Sequence, residues 1–192
     1  MTVGDAESEG ALRRCLAMGA DRAIRVDAEP RDPVSTARAL AGVVAAESPD
    51  LVLTGVQSAD SVQGSTGSAL AELTGLPCVA VVTKLDWSGS GPATVDRELE
   101  GGLVDVVEVD TPAVLTIQTG INQPRYANLR AIKQAEQHEI AVTAGETGET
   151  GEPAYRVRRM FTPPRGAGAE LIEGNAAQVA QRIAELLKER LT

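Results

Sequence analysis

The 192-residue sequence predicts an α/β fold: a mostly parallel sheet sandwiched by helices and doubly wound, followed by a carboxyl-terminal arm and helix. Three observations carry that expectation. Helix-like and strand-like stretches alternate along the first eighty residues. The near-continuous apolar run Leu51-Val52-Leu53-Thr54 has the pattern of a parallel strand buried on both faces. A polar, glycine-containing loop follows that run and opens a helix, the place where open α/β sheets bind ligands.

Taken in order, residues 7–18 show helical periodicity, with Leu12, Cys15 and Leu16 on one face and Gly19 as a left-handed stop. Residues 23–26 form a short strand. Asp32-Pro33 reads as an N-cap followed by proline at the first helical position, and that helix turns Leu40, Val43 and Val44 inward. After the strand at 51–54, a helix carries Leu70 and Leu73 and stops at Gly75. Residues 79–84 are strand-like. Residues 94–98 and 104–109 flank Leu99-Glu100-Gly101-Gly102 as a hairpin with a glycine turn. Residues 113–118 form another apolar strand, 128–136 a modest helix and 140–142 a short extended piece. The Gly-Glu-Thr repeat within 144–152 has no apolar anchor and reads as a flexible link. Residues 155–164 look extended. Asn175 then caps a terminal amphipathic helix whose stripe is Val179, Ile183, Leu186 and Leu187. The expected organisation is an α/β nucleotide-binding domain over 1–143, with 144–192 as link, arm and a helix that docks on a partner subunit. Thr2-Val3-Gly4 reads as the end of a strand and a turn, so the chain is expected to start inside a fold, with a preceding strand missing or supplied by another chain.

Charge and composition narrow the function. Eighteen basic against 27 acidic residues give a net charge of -9, a field that repels nucleic-acid backbones. Trp87, Tyr126, Tyr155 and Phe161 are the whole aromatic complement, too few for base-stacking platforms. A single histidine, His138, rules out a multi-histidine metal cage, and no metal site is expected. Cys15 and Cys78 form no C-x-x-C pair and read as two reduced core thiols. No apolar run reaches membrane-spanning length, and residues 1–7 lack a signal-peptide segment, so a cytoplasmic location without direct membrane insertion is the expectation.

The loop Gly55-Val56-Gln57-Ser58-Ala59-Asp60-Ser61-Val62-Gln63-Gly64-Ser65-Thr66-Gly67 is the most informative stretch. Gly64 and Gly67 permit close backbone approach. Helix-start amides, with the hydroxyls of Ser65, Thr66 and Ser68, can hold a phosphate, while Gln57 and Asp60 can bond a ribose or base. It matches neither the dinucleotide fingerprint nor the P-loop. On spacing alone two readings stand level: a nucleotide cradle, or a polar connection whose serines cap the next helix. No nucleophile elbow exists, His138 lies in a polar segment, and Asp96, Glu98 and Glu100 read as the wet side of a strand. Arg156, Arg158 and Arg159 form a basic patch expected to make ion pairs. A hydrolase using His138 is a remote reading, and a carrier fits better than a catalyst. In 122–129, Arg125 and Tyr126 are hot-spot residue types and Leu129 can project. The alternative that Tyr126 and Leu129 tuck onto the adjacent sheet is favoured by the residues alone.

Together, Leu16-Ala17-Met18-Gly19-Ala20-Asp21-Arg22, the 55–67 loop, Val95-Asp96-Arg97-Glu98-Leu99-Glu100-Gly101-Gly102 and Asn122-Gln123-Pro124-Arg125-Tyr126-Ala127-Asn128-Leu129 resemble the beta subunit of electron transfer flavoprotein. The resemblance covers nearly the whole chain but lacks the family's amino-terminal segment. It implies an adenine-nucleotide alpha-hydrolase-like fold and a heterodimer with an alpha subunit that shares an FAD. Electrons would pass from flavin dehydrogenases, such as acyl-CoA dehydrogenases of fatty acid oxidation, toward a quinone reductase. It further implies a buried AMP, or a second FAD in bifurcating members, wrapped by Gly55, Val56, Gln57, Ser58, Ala59, Asp60, Ser61, Val62, Gln63, Gly64, Ser65 and Thr66 and touched by Val3. Arg97 and Glu98 would face the flavin-bearing domain, and Arg125, Tyr126 and Leu129 would dock on the dehydrogenase. Two departures stand out: Asp60 is the sole acid in the nucleotide loop, and Lys133-Gln134-Ala135-Glu136-Gln137-His138-Glu139 replaces a run of lysines. A stand-alone adenine-nucleotide-binding regulator of the universal-stress-protein type is the alternative, sharing the layout but needing neither docking loop nor arm.

Overall fold

The computed structural model describes residues 1–29, 32–145, 157–164, 166, 168–169 and 171–191. By their contacts the residues divide into two compact units, Met1–Arg156 and Val157–Thr192. In the first, β1 (Thr2–Val3) leads through a short 3₁₀ turn into α1 (Glu9–Ala17). Then come β2 (Ile24–Asp27), α2 (Pro33–Glu47), β3 (Leu51–Gly55), α3 (Thr66–Thr74), β4 (Cys78–Asp86), β5 (Ala93–Glu98), β6 (Val104–Val109), β7 (Ala113–Ile117), α4 (Leu129–Gln137) and β8 (Ala141–Ala144). The α/β class and the mostly parallel arrangement agree with the sequence.

The strands divide into two sheets, β1-β2-β8 and β3-β7-β4-β5-β6. All pairs in the first are parallel, as are β3–β7 and β4–β7. Only β5 pairs antiparallel, with β4 and with β6. β1 and β3 are therefore both edge strands. That placement corrects the expectation that 51–54 is covered on both faces: Leu53 is 54% exposed. The doubly buried parallel strand is β7 instead, where Ala113, Val114 and Leu115 are fully buried. Burying a leucine such as Leu115 is worth roughly 1.5–3 kcal/mol.

Local chemistry explains the boundaries. The Asp32 carboxylate accepts from the Ser35 amide at 2.7 Å while Ser35 Oγ accepts from the Asp32 amide at 3.0 Å, a reciprocal cap with Pro33 at the first helical position. α2 packs Leu40, Val43 and Val44 inward, together with Val26, Val52, Leu70 and Val114. α3 ends at Gly75 with φ 67, the left-handed stop expected there. The 99–103 turn closes the β5–β6 hairpin with left-handed Gly101 and Gly102. β4 bulges at Val81, which takes φ 61 and donates its amide to Thr116 Oγ1 at 3.0 Å. A β-branched residue in that region carries strain.

α1 buries Leu12 and Leu16 only, so its apolar stripe is narrower than the sequence suggests. Cys15 is exposed, and so is Cys78; both thiols are free, but neither is a core residue. Partial burial of the Cys78 sulfur still pushes its thiol pKa up, against a hydrogen bond to Ser68. Arg25, expected inside a short apolar strand, is only 8% exposed. Its guanidinium holds Asp27 at 2.6 Å, the Gly4 carbonyl at 3.0 Å and Glu9 at 3.1 Å, which raises its pKa through Asp27 above all. A buried cation so paired remains charged. Arg22 ion-pairs with Glu47 on the surface.

The link expected within 144–152 lies largely outside the described residues, as do Tyr155 and Arg156. In the second unit, 157–164 has no regular secondary structure, and Arg159 lies 4.7 Å above the Phe161 ring, with no ion pair among the described residues. α5 (Ala176–Leu191) starts from Asn175, whose side chain accepts from the Gln178 amide at 3.1 Å as its amide donates back at 3.0 Å. None of its residues is fully buried: along the stripe Val179 and Leu186 are half-buried, and Ile183 and Leu187 are exposed.

Candidate functional site

The carboxyl end of β3, the loop after it and the first turn of α3 form one wall of a cleft of about 720 Å3. Met1, with Thr2 and Val3 of β1, and the start of α2 form the other, and Leu40 and Leu53 line it with apolar surface over the buried Leu70. Its size falls within the roughly 300–1,000 Å3 of small-molecule sites. The loop is not collapsed against the interior. Eleven of the thirteen residues expected to wrap a nucleotide line this space: Val3, Gly55, Val56, Gln57, Ser58, Asp60, Ser61, Gln63, Gly64, Ser65 and Thr66. Ala59 and Val62 do not. Val62 instead adopts φ 52, and with Gly64 at φ 61 it shapes the loop's return to α3.

Two helices begin at this cleft and differ in one respect. The Asp32 side chain already occupies the first amides of α2. The Ser65 side chain makes no cap bond at the start of α3, whose first N–H groups have no intrahelical acceptor. Ser65 thus does not cap its helix here, which leaves amides and a hydroxyl at a positive helix end, a donor set of the kind an anionic phosphate can take. Gly67 lets α3 sit low on the sheet: a Cβ there would fall 2.5 Å from Thr54 Oγ1 and 2.6 Å from Thr116 Cγ2. Within the loop, Ser58 and Ser61 share a hydroxyl hydrogen bond of 2.8 Å, and the Ser61 amide donates to Asp60 Oδ1 at 2.7 Å. Ser58, then the Ser61 amide, hold the Asp60 carboxyl below the usual range, so it stays an acceptor facing the cleft.

The other expected residues lie elsewhere on the first unit. Arg97 Nε pairs across the hairpin with Asp105 at 3.1 Å, and Glu98 beside it is exposed, 3.4 Å from Gln118 Nε2. Tyr126 and Leu129 do not tuck onto the sheet: they are 92% and 79% exposed. Leu129 is the first residue of α4, capped by Asn128 accepting from the Ala131 amide at 2.9 Å, so it projects from a fixed helix start. His138 ends that helix in the open, its Nδ1 3.2 Å from the Glu139 carbonyl, with no hydroxyl nucleophile bonded to it among the described residues. Sequence reasoning missed Arg13, whose Nη1 donates to the carbonyls of Ala135 at 2.8 Å, Glu136 at 2.9 Å and His138 at 3.3 Å. Nothing local signals it, since its acceptors lie more than 120 residues away. Among the described residues no metal-ligand cluster occurs, and no helix is long and apolar enough to cross a membrane.

Comparison with known proteins agrees with this architecture. The family model described as the electron transfer flavoprotein domain matches residues 1–146. The chain is 42% identical to the electron transfer flavoprotein subunit beta of Methylophilus methylotrophus, aligned over 98% of this chain and 75% of that one. It is 31% identical to the Bacillus subtilis subunit beta, over 98% and 76%. It is 32% identical to the caffeyl-CoA reductase-Etf complex subunit CarD of Acetobacterium woodii, over 99% and 76%. With a strand-end cleft, an open helix start and a projecting loop on an α/β frame, the chain belongs to the electron transfer flavoprotein family as a beta subunit.

Proposed function

We propose that this chain is the electron-carrier beta subunit of a heterodimer. It holds AMP as a structural nucleotide while an alpha subunit supplies most of the contacts to FAD. The observation that carries the reading is the cleft at the β3–α3 junction, with an uncapped helix start at one wall and an apolar lining. Phosphate oxygens would accept from the α3 amides and Ser65; Gln57 and Asp60 would meet the ribose or base, and Leu40 and Leu53 would cover apolar ring surface. The bound FAD supplies the electron acceptance and donation. This chain's residues supply position: Glu98, exposed at the hairpin, would pair with a cation of the alpha subunit, and Arg97 is kept in place by Asp105. Leu129, Tyr126 and Arg125 would engage a flavin dehydrogenase, such as an acyl-CoA dehydrogenase, before electrons leave toward a quinone reductase. The carrier would work in the cytoplasm. A small anchor holding one end lets the redox centres approach only briefly, which suits a carrier that must also leave.

Co-expression with an alpha-type subunit, followed by heat denaturation and chromatography of the released nucleotides, tests the reading. One AMP and one FAD per heterodimer are expected. Two FAD per heterodimer would move the cleft to a flavin site. A stable monomer that takes up neither nucleotide nor flavin partner would refute the proposal.

A further inference from the structure

Docking through Leu129 makes the pose of α4 matter, and little apolar surface holds that helix. Ala135 is its only buried residue, packed with Leu12, Leu16 and Ala23, while Leu129 and Ile132 are exposed. The clearest polar restraint is Arg13 of α1. Its Nη1 is shared by three carbonyls at the carboxyl end of α4, at 2.8, 2.9 and 3.3 Å. They lie at the negative carboxyl end of the helix, where a cation is best placed; the Ala135 oxygen also accepts from the His138 amide at 3.3 Å, while Arg13 serves the Glu136 and His138 oxygens beyond it. The same guanidinium lies 3.7 Å from Glu9 on its own helix, which restricts its rotation. At the far end of α1, Arg125 crosses Gly19 so closely that a Cβ there would fall 2.8 Å from its Nη1. Arg13 thus fixes the carboxyl end of the segment 125–138 to α1, while Arg125 at its start passes close over the turn that follows α1, with Leu129 between.

We infer that Arg13 is a positioning residue for docking: by clamping the carboxyl end of α4, it fixes the direction in which Leu129 is presented to the dehydrogenase. The inference rests on the docking reading of Leu129. A helix held in its bound pose loses less freedom on association, so the clamp acts on the encounter and leaves the electron-transfer step alone.

The test uses the assembled heterodimer as electron acceptor of a purified acyl-CoA dehydrogenase, reading KM for the carrier and kcat separately. Arg13→Met keeps the apolar stem and removes the donors; KM is expected to rise about 5- to 20-fold with kcat within twofold of the parent. Arg13→Lys, which can still donate to the carbonyls, is expected to recover most of that loss. The double variant R13M/L129A is expected to match L129A within about twofold, because a clamp has nothing left to present once Leu129 is truncated. Amide exchange over 129–138 should quicken in R13M while α3 keeps its protection. If L129A raises KM and R13M does not, or if the two effects multiply, the inference falls and the docking reading survives. If L129A itself leaves KM unchanged, the docking reading falls and takes the inference with it. Arg13→Gln replaces R13M should the latter not assemble.

Discussion

Gly67 shows how one missing methyl group sets the height of a helix. The atoms a Cβ would strike belong to Thr54 and Thr116, short β-branched side chains on strands that cannot swing aside. Gly67→Ala is therefore expected to lift the start of α3 and widen the cleft wall beside it. A loss of about 1–3 kcal/mol is expected, visible as a fall of roughly 2–4 °C in thermal midpoint per kcal/mol, together with reduced nucleotide content after purification. Asp60 offers a second test at this scale. Its folded pKa is depressed, chiefly by Ser58, so its contribution to loop order is fully present above the unfolded value and disappears as pH falls through the folded one. The Ser61 amide, bonded to Asp60 Oδ1, should titrate by NMR with a midpoint below the ordinary aspartate range. A midpoint at or above that range would contradict the hydrogen bonding described. In Asp60→Asn the acid-induced change of that amide should vanish.

Among the elements, α2 is the most self-contained. Its Asp32 cap and Pro33 were readable from consecutive residues, because capping is local; the reciprocal bond from Ser35 was found only in the structure. Asp32→Ala should cost about 0.5–2 kcal/mol in chemical denaturation, whereas Asp21→Ala, on an exposed turn, should change little. The hairpin and the stop at Gly75 were readable for the same reason. Leu53 was not: its exposure depends on β3 lying at a sheet edge, and strand order is invisible in an apolar run that looks the same at centre and edge. Cys15 misled because helical periodicity gives a face but not how wide a neighbour covers it. In the candidate site, the loop residues were legible from their position after a strand. Whether Ser65 caps its helix or leaves it open was not, since that depends on side-chain rotation. Arg13 escaped notice for a further reason: a cap delivered from a remote helix has no sequence spacing at all.

For the first unit as a whole, the important fact is that its two sheets share no ladder hydrogen bonds among the described residues. They are joined by the core around α2, where Val26 of one sheet meets Val52 and Val114 of the other, and residues of their edge strands β1 and β3 both line the cleft. A nucleotide touching both Val3 and the 55–66 loop would couple them. AMP at about 100 times its Kd should add about 2.7 kcal/mol to the stability of the native state. Amide exchange should slow in β2 and β3 together, rather than in β3 alone. Protection confined to the β3 side would place the ligand on one wall and separate its binding from the cohesion of the unit.

Glu9 carries a last consequence. One of its oxygens is engaged by Arg25, the guanidinium that also holds the Gly4 carbonyl next to Val3, and the other faces Arg13. A single carboxylate is therefore ballast for two levers, one bearing on the rim of the cleft and one on the far end of α4. Neither lever can be retuned by altering that acid without disturbing its twin, so adjustment of either surface has to come from the arginines themselves.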